Sequence, residues 1–466
     1  GDRDARTEDR QLLLDALLAA GDHLVVTYTG RDERTNEPRP PAVPIGELLD
    51  LVDRTVRTDE PGVPARARVL VEHPLQPFDP RNFHPGELVA GRPWGFDADA
   101  LAAAKAKVRG EVEAQPFLAT PLPPEGSEAI ELSELVQFLQ HPVKTFLRRR
   151  LGVRLPTLQE QATDRIPVEL DGLERYLIGE RLLTARLAGV EATRWLAVER
   201  ARGSLPPGAL AEGLLHELGA TVDAILAAAA EHAPGLPGGR SNGLGPDWAR
   251  ESFEVVLTLP GGRTLVGTVP VVVPARPGPH LLLTVQYSRV GAKHRLGTWA
   301  RLLAASAAHP ERRLAGVTVG RSAERGRTVR IARLPPLAPD PEARQRVAFE
   351  QLIRLVQLYE AGMCEPLPLY CDTSAAYAEA VQAGHDEPLA AAADVWTTGR
   401  RRWPNEDLQP EHVLLHGGVV SFDVLCESPP GEDEQGEGWP DESTRFGRYA
   451  RRLWDAVLAR EEIDDR

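Results

Sequence analysis

A carboxylate and a lysine at the end of a buried strand can hold a divalent cation and prime a water for attack on a phosphodiester. The segment "HLLLTVQYSRVGAKHRLGTWARLLAASA", residues 280–307, has the strand, turn and helix such chemistry requires. The two positions that matter hold Gln286 and Ser288. An amide is a weak neutral ligand, and a serine hydroxyl does not replace an ammonium. In the preceding run "LVGTVPVVV", the second strand of the set, Pro270 stands where such a site would place its aspartate, and its ring offers no ligand atom. From the residues alone, the strand pair is either a plain buried hairpin or the frame of such a site without its metal ligands.

Other carboxylates leave an alternative open. Glu254, or Asp171 with Glu174, would serve an active nuclease if the strands ran in another register. None of them forms a local triplet with a lysine on a buried strand, and Lys293 falls beyond the turn. His412 and His416 have the i, i+4 spacing of a zinc pair, which needs a helix. The following Gly417-Gly418 and "VVSFDVL" predict a turn and strand there, so no metal is assigned.

Cations are concentrated in "HPVKTFLRRRLGVR", which carries Lys144, Arg148, Arg149, Arg150 and Arg154. Three consecutive arginines on a helix fan around its circumference, so some must face solvent or a partner. A solvated basic face is the ordinary outcome, and contacts to nucleic-acid phosphates are the functional alternative. Trp299, Trp396, Trp403, Trp439 and Trp454 are expected as core or interface anchors rather than base-stacking platforms. The chain has no phosphate-binding loop of the G-x-x-x-x-G-K-S/T kind and no H-E-x-x-H zinc motif.

The elements that position these residues form a mixed α/β pattern. "SFEVVLTLPGGRTLVGTVPVVV" predicts two strands joined by a Pro-Gly-Gly turn, "HLLLTVQY" a third, then a helix and two more strands in "RLAGVTVG" and "RTVRIARL". Upstream, Ser133 is a candidate N-cap, Leu135, Phe138 and Leu139 share one apolar face, and Pro142 suits the first turn of the next helix. A long helix is expected from Ala209 to His232, another over 344–360, and an amphipathic one over 446–459. Nearer the start, a helix through Leu12 to Leu18 is expected to feed a buried strand through Leu24 to Tyr28. Prolines in the following stretch predict an irregular linker with one short helix near Asp97 to Val108.

The 466 residues suffice for two or three domains, and 42% hydrophobic content is ordinary for a globular chain. No uninterrupted apolar run approaches the roughly 20 residues of a membrane span, and the opening residues do not resemble a signal peptide, so a cytoplasmic location is expected. Cys364, Cys371 and Cys426 are too few and too irregular for a disulfide framework or a metal cluster. A net charge of −14 argues against indiscriminate coating of nucleic acid, but much of the acid sits in "CESPPGEDEQGEGWPDEST", expected as a solvated loop.

Six collinear stretches resemble the family of the gamma subunit of exodeoxyribonuclease V, RecC. They are "EDRQLLLDALLAAGDHLVVTYTGR", "EHPLQPFDPRNF", "LVQFLQHPVKTFLRRRLGVRLP", "ELDGLERYLIGERLL", "ARGSLPPGALAEG" and "EPLPLYCDTSAAYAEAV". The resemblance implies the C-terminal part of such a subunit. Residues 1–58 would end an inactive superfamily 1 helicase-like domain, 59–128 a linker, and 129–466 an inactive nuclease-like domain of PD-(D/E)XK type with helical insertions. "RQLLLDALLAA" is similar to a helicase motif whose arginine clamps the ATP γ-phosphate, and Ala19 stands in that arginine's place.

The function implied is a non-catalytic scaffold that guides and splits strands at DNA ends. Its partners would be a RecB-like helicase-nuclease, a RecD-like helicase, double-stranded DNA ends and unwound single strands, with no membrane. ATP and magnesium would be bound by those partner subunits, with no cofactor in this chain. An active metal-dependent nuclease and a purely protein-binding adaptor are the alternatives.

Overall fold

The computed structural model describes residues 5–32, 35–58, 62–109, 116–126, 129–155, 170–233, 248–274, 278–398, 405–431 and 442–466. The chain divides into two compact units, 1–115 and 116–466. Trp403, Trp439 and the centre of the acidic segment lie outside the described residues.

The first unit has helices α1 (Ala5–Leu18), α2 (Val43–Thr55), α3 (Arg66–Val69) and α4 (Ala98–Arg109), with a 3-10 turn at Pro80–Asn82. Few of its described side chains are buried, chiefly Ala65, Asn82 and Ala104. Arg66 braces it locally, its guanidinium bonded to Asp50 and Asp53. The strand expected through Leu24 to Tyr28 does not form: the segment has no ladder partner, and Val25 is 82% exposed. β-propensity yields a strand only where a neighbour accepts the backbone bonds, and no described residue pairs with this segment.

The second unit begins with β1 (Ala129–Glu131), α5 (Leu132–Gln140), α6 (Pro142–Arg150), α7 (Gly172–Leu187), α8 (Ala192–Ala201) and α9 (Leu210–His232). It continues with β2 (Trp248–Thr258), β3 (Thr264–Pro274), β4 (His280–Arg289), α10 (Ala292–Ala308), β5 (Leu314–Arg321) and β6 (Val329–Leu334). The end comprises α11 (Pro341–Cys364), α12 (Cys371–Gln382), α13 (Pro388–Trp396), α14 (Pro410–His416), α15 (Phe422–Cys426), α16 (Arg445–Leu458) and β7 (Glu462–Asp465).

The seven strands form one mixed sheet in the order β1-β3-β4-β5-β6-β7, with β2 antiparallel to β3. Gly261 and Gly262 turn the β2–β3 hairpin at φ 86° and 85°, a backbone region that favours glycine. Two cores cover the sheet. Leu135, Phe138, Leu139, Leu296, Trp299 and Tyr359 belong to the larger, built by α5, α10 and α11. Ile178, Leu182, Val222, Ile225 and Leu226 belong to the smaller, where α7 and α9 pack on β4 and β5. α9 is long and apolar enough to cross a membrane by length and composition, and its buried face is the one against the sheet.

Two local expectations change. The N-cap of α5 is Glu131 rather than Ser133, because β1 runs directly into the helix, and no side chain caps it. Residues 410–416 are helical: Pro410 starts α14, and Gly417, at φ 70°, closes it. Gly418 N–H to Val413 O at 2.9 Å and Gly417 N–H to Leu414 O at 3.4 Å make this a Schellman-type C-cap, and α15 replaces the strand expected after it.

Candidate nucleic-acid interface

Strands β3 and β4 share a single residue pair, Val272 with Leu281, while β1 pairs with β3 only over Thr264 to Val266. Between these contacts the sheet parts. A cleft of about 630 Å³ occupies the split, lined by Glu131 to Ser133, Gly267 to Pro270, Leu282 to Thr284, Thr298 and Arg301. Gly267 permits the close approach of α5, since a Cβ there would lie 2.7 Å from Leu132 Cβ.

The positions singled out for lost metal chemistry are not brought together. Pro270 lines the cleft, exposed between the buried Val269 and Val271. Gln286 and Ser288 do not line it. Ser288 Oγ lies 3.2 Å from His294 Nε2, and the Gln286 side-chain nitrogen is buried without a hydrogen-bond partner. Between them Tyr287 is fixed on the opposite side: Glu180 accepts from its backbone N–H at 3.0 Å, and Arg321 stacks 4.5 Å from its ring centre. Ala19, in the other unit, is exposed just past the end of α1.

The alternative carboxylates have structural roles or none visible. Asp171 and Glu174 form the capping box that starts α7, each side chain accepting the other's backbone N–H at 2.8 Å. Glu254 is exposed on β2, and Lys293 is exposed beyond the turn. Among the described residues no group of three or more His, Cys, Asp and Glu side chains could hold a metal. His412 and His416 do sit one turn apart on a helix, but they pack against Tyr370 and Trp396. His412 Nδ1 bonds the Glu406 carbonyl at 2.7 Å and His416 Nε2 lies 3.0 Å from the Tyr370 hydroxyl.

A second cleft of about 610 Å³ adjoins the first, sharing Glu131 and Ser133, and is lined by Gln137, Gln140, His141, Lys144, Arg148, Arg149 and Arg154 among others. The five cations differ in what they do there. Lys144 pairs with Glu411 at 2.9 Å while its side chain stays 56% exposed. Arg149 is held by Glu125 at 2.9 Å and by Glu134, so it joins the α5–α6 pair to the preceding segment. Arg150 donates to the Pro123 carbonyl at 2.7 Å. Arg148 and Arg154 are exposed at the cleft, and among the described residues no carboxylate pairs with either. Pro142 begins α6 and His141 caps it, accepting from Lys144 N–H at 3.2 Å; that fixes which way the arginines point.

Arg301 was not singled out in the sequence. Its signal is one cation inside "GTWARLLAASA", a helix otherwise buried almost all round. Its guanidinium donates to the Gly297 carbonyl at 3.0 Å and faces the first cleft.

Residues 127–382 match the RecC C-terminal domain model. The chain belongs to the RecC family. It is 40% identical over 461 residues to RecBCD enzyme subunit RecC of Mycobacterium tuberculosis, covering 99% of this chain and 38% of that protein. It is 40% identical to the Mycolicibacterium smegmatis RecC subunit over 464 residues, 99% of this chain and 39% of that one. The Escherichia coli RecC subunit is 30% identical over 393 residues, 81% of this chain and 30% of its own length. The chain thus spans about two fifths of the mycobacterial RecC relatives it matches.

Proposed function

We propose that this chain is the DNA-guiding, non-catalytic C-terminal part of a RecC subunit in a RecBCD-type helicase-nuclease that processes double-strand breaks. The observation that carries the reading is the family match joined to the chemistry of one strand pair. Read from the sequence, Pro270, Gln286 and Ser288 stand where a PD-(D/E)XK nuclease would need two carboxylates and a lysine. The nuclease-like ancestry of residues 129–466, the helicase-like origin of 1–58 and the linker character of 59–128 belong to the same proposal.

The mechanism is mechanical and electrostatic. RecB-like and RecD-like partners, using ATP and magnesium, pull the strands, and this chain is a rigid obstacle that keeps them apart. Rigidity is supported by the continuous core around Trp299, Trp396 and Trp454. Phosphates are met by the exposed Arg148 and Arg154, with Lys144 beside them, and such contacts position a strand without reading its sequence. Arg149 and Arg150, taken up by internal partners, hold the shape of that face.

The test is incubation of the purified protein with linear single- and double-stranded DNA and magnesium or manganese, without partners. Binding without cutting is expected; metal-dependent cutting lost on substitution of the strand pair would overturn the reading in favour of an active nuclease. Unaltered DNA affinity on replacing Arg148 and Arg154, with loss of subunit binding, would favour the adaptor.

A further inference from the structure

The cleft between β3 and β4 contains a cation, Arg301, that forms no ion pair among the described residues. Arg301 is half-buried on α10, and among the described residues no carboxylate pairs with it. Burial alone pulls its guanidinium below the ordinary value, with no acid opposing the shift. Leaving a charge desolvated and unpaired is costly, so a fold that keeps one in a cleft has a use for it or a partner to bring.

A second, independent feature faces the same space. α5, nine residues long, enters the cleft by its N-terminus, with Glu131, Leu132 and Ser133 lining the wall. No side chain caps that turn, so its first N–H groups, which have no intrahelical acceptor, belong to residues that line the cavity. Thr268 and Thr284 add hydroxyls from the two parted strands. Thr298 does not, because its hydroxyl is 2.7 Å from that of Thr318. Among the described residues the only acid in the lining is Glu131, exposed and shared with the arginine-bearing cleft.

We infer that the cleft between β3 and β4 binds a phosphate group of a single-stranded nucleic acid without a metal, through Arg301 and the N-terminus of α5. The inference rests on the DNA-guiding reading and adds a site to it. An arginine fork and helix N–H groups would replace the cations that a PD-(D/E)XK centre uses to neutralise a phosphodiester. The cleft volume falls within the roughly 300–1,000 Å³ of small-ligand sites, enough for one nucleotide. Because the two clefts adjoin, a strand lying along Arg154 and Arg148 reaches Arg301 by passing Ser133.

The experiment measures affinity for single-stranded oligonucleotides, with a 5′-phosphate or a 5′-hydroxyl, across a salt series. It uses the full-length chain as wild type, Arg301→Gln, Arg301→Lys, Glu131→Gln and Arg148→Gln. Arg301→Gln is expected to weaken binding by about ten-fold or more and to lower the salt slope by about 0.7, the share of one phosphate contact on a single strand. Arg301→Lys keeps the slope, and Glu131→Gln tightens binding. In the absence of DNA, Arg301→Gln leaves the thermal midpoint unchanged or higher, which a merely structural arginine would not do. An effect confined to the 5′-phosphorylated strand assigns a terminal phosphate, and an effect on both assigns an internal phosphodiester. Unchanged affinity and slope in Arg301→Gln, with weakened binding in Arg148→Gln, overturns this site and leaves the DNA-guiding reading standing. No effect in either variant overturns both.

Discussion

Arg295 of α10 and Glu461, the residue ahead of β7, form an ion pair in the interior, with Nε 2.7 Å from Oε2 and side-chain exposures of 4% and 2%. The pair ties the end of the chain to the helix at the centre of the larger core, and the Arg295 guanidinium also lies 4.9 Å from the Trp454 ring centre. Burial pushes the Glu461 carboxyl above its ordinary range even with Arg295 beside it. Removing Arg295 therefore strands a desolvated acid. Arg295→Met is expected to cost about 3–5 kcal/mol in urea unfolding, and adding Glu461→Leu to restore more than half of that. Equal losses in the single and double variants would show that the two residues are not coupled.

Gly179 decides how closely α7 approaches β4. A Cβ at that position would fall within the Tyr287 ring, and the ring is held in place by Arg321. In a free helix Gly→Ala gains about 1 kcal/mol of propensity, whereas overpacking of a fixed core costs roughly 1–3 kcal/mol. The clash wins here, because the contact is with ring atoms rather than the end of a flexible chain. Gly179→Ala should lower the unfolding midpoint, and Gly179→Ala with Tyr287→Leu should regain part of it; a stabilised single variant would refute the packing.

How far such relationships could be read from sequence depends on whether the signal is local. Leu135, Phe138 and Leu139 announced one buried face, Pro142 a helix start, and the glycines after Pro260 a hairpin, because each rests on residues within one turn or strand. Leu24 to Tyr28 had the composition of a strand without the neighbour that makes one. At His412 the misleading signal was Gly417-Gly418, which ends a helix through positive φ as readily as it makes a turn; Pro410 was the better cue. The cation cluster was visible as a cluster, but its division into internal braces and exposed groups depends on Glu125, Glu134 and Glu411, which are distant in sequence. Arg301 and Arg295 were invisible for the same reason: on the chain each is one arginine in an apolar helix, and only the fold shows that Arg295 is paired with acids while Arg301 has no ion pair among the described residues.

Arg148 and Arg149 are neighbours with opposite duties, and their variants should separate. Arg149→Gln leaves Glu125 and Glu134 facing each other across a half-buried gap, so a loss of about 1–2 kcal/mol of stability is expected with little change in DNA affinity at temperatures where the protein is folded. Arg148→Gln should alter stability by less than about 0.5 kcal/mol and weaken DNA binding at low salt. Measuring both quantities on both variants checks the assignment, and a reversal of the pattern would mean that α6 presents a different face to nucleic acid.

Acid sensitivity should come from buried neutral histidines. Burial lowers His294 to about 4 and His412 to about 4, the latter despite its hydrogen bond to the Glu406 carbonyl. In the unfolded chain both take up protons near 6.5, so between about 6.5 and 4 the unfolded state binds more protons than the folded one. Stability from these groups is complete above about pH 6.5 and is lost as pH falls toward 4, by up to about 1.4 kcal/mol per pH unit for each histidine. His294→Asn and His412→Phe should each flatten this slope by about one proton, read from urea midpoints at pH 7, 6 and 5. His412→Phe also loses the bond to Glu406, so it should start from lower stability at pH 7 and converge on wild type as the solution becomes more acidic; parallel curves would mean that His412 is already protonated in the folded protein.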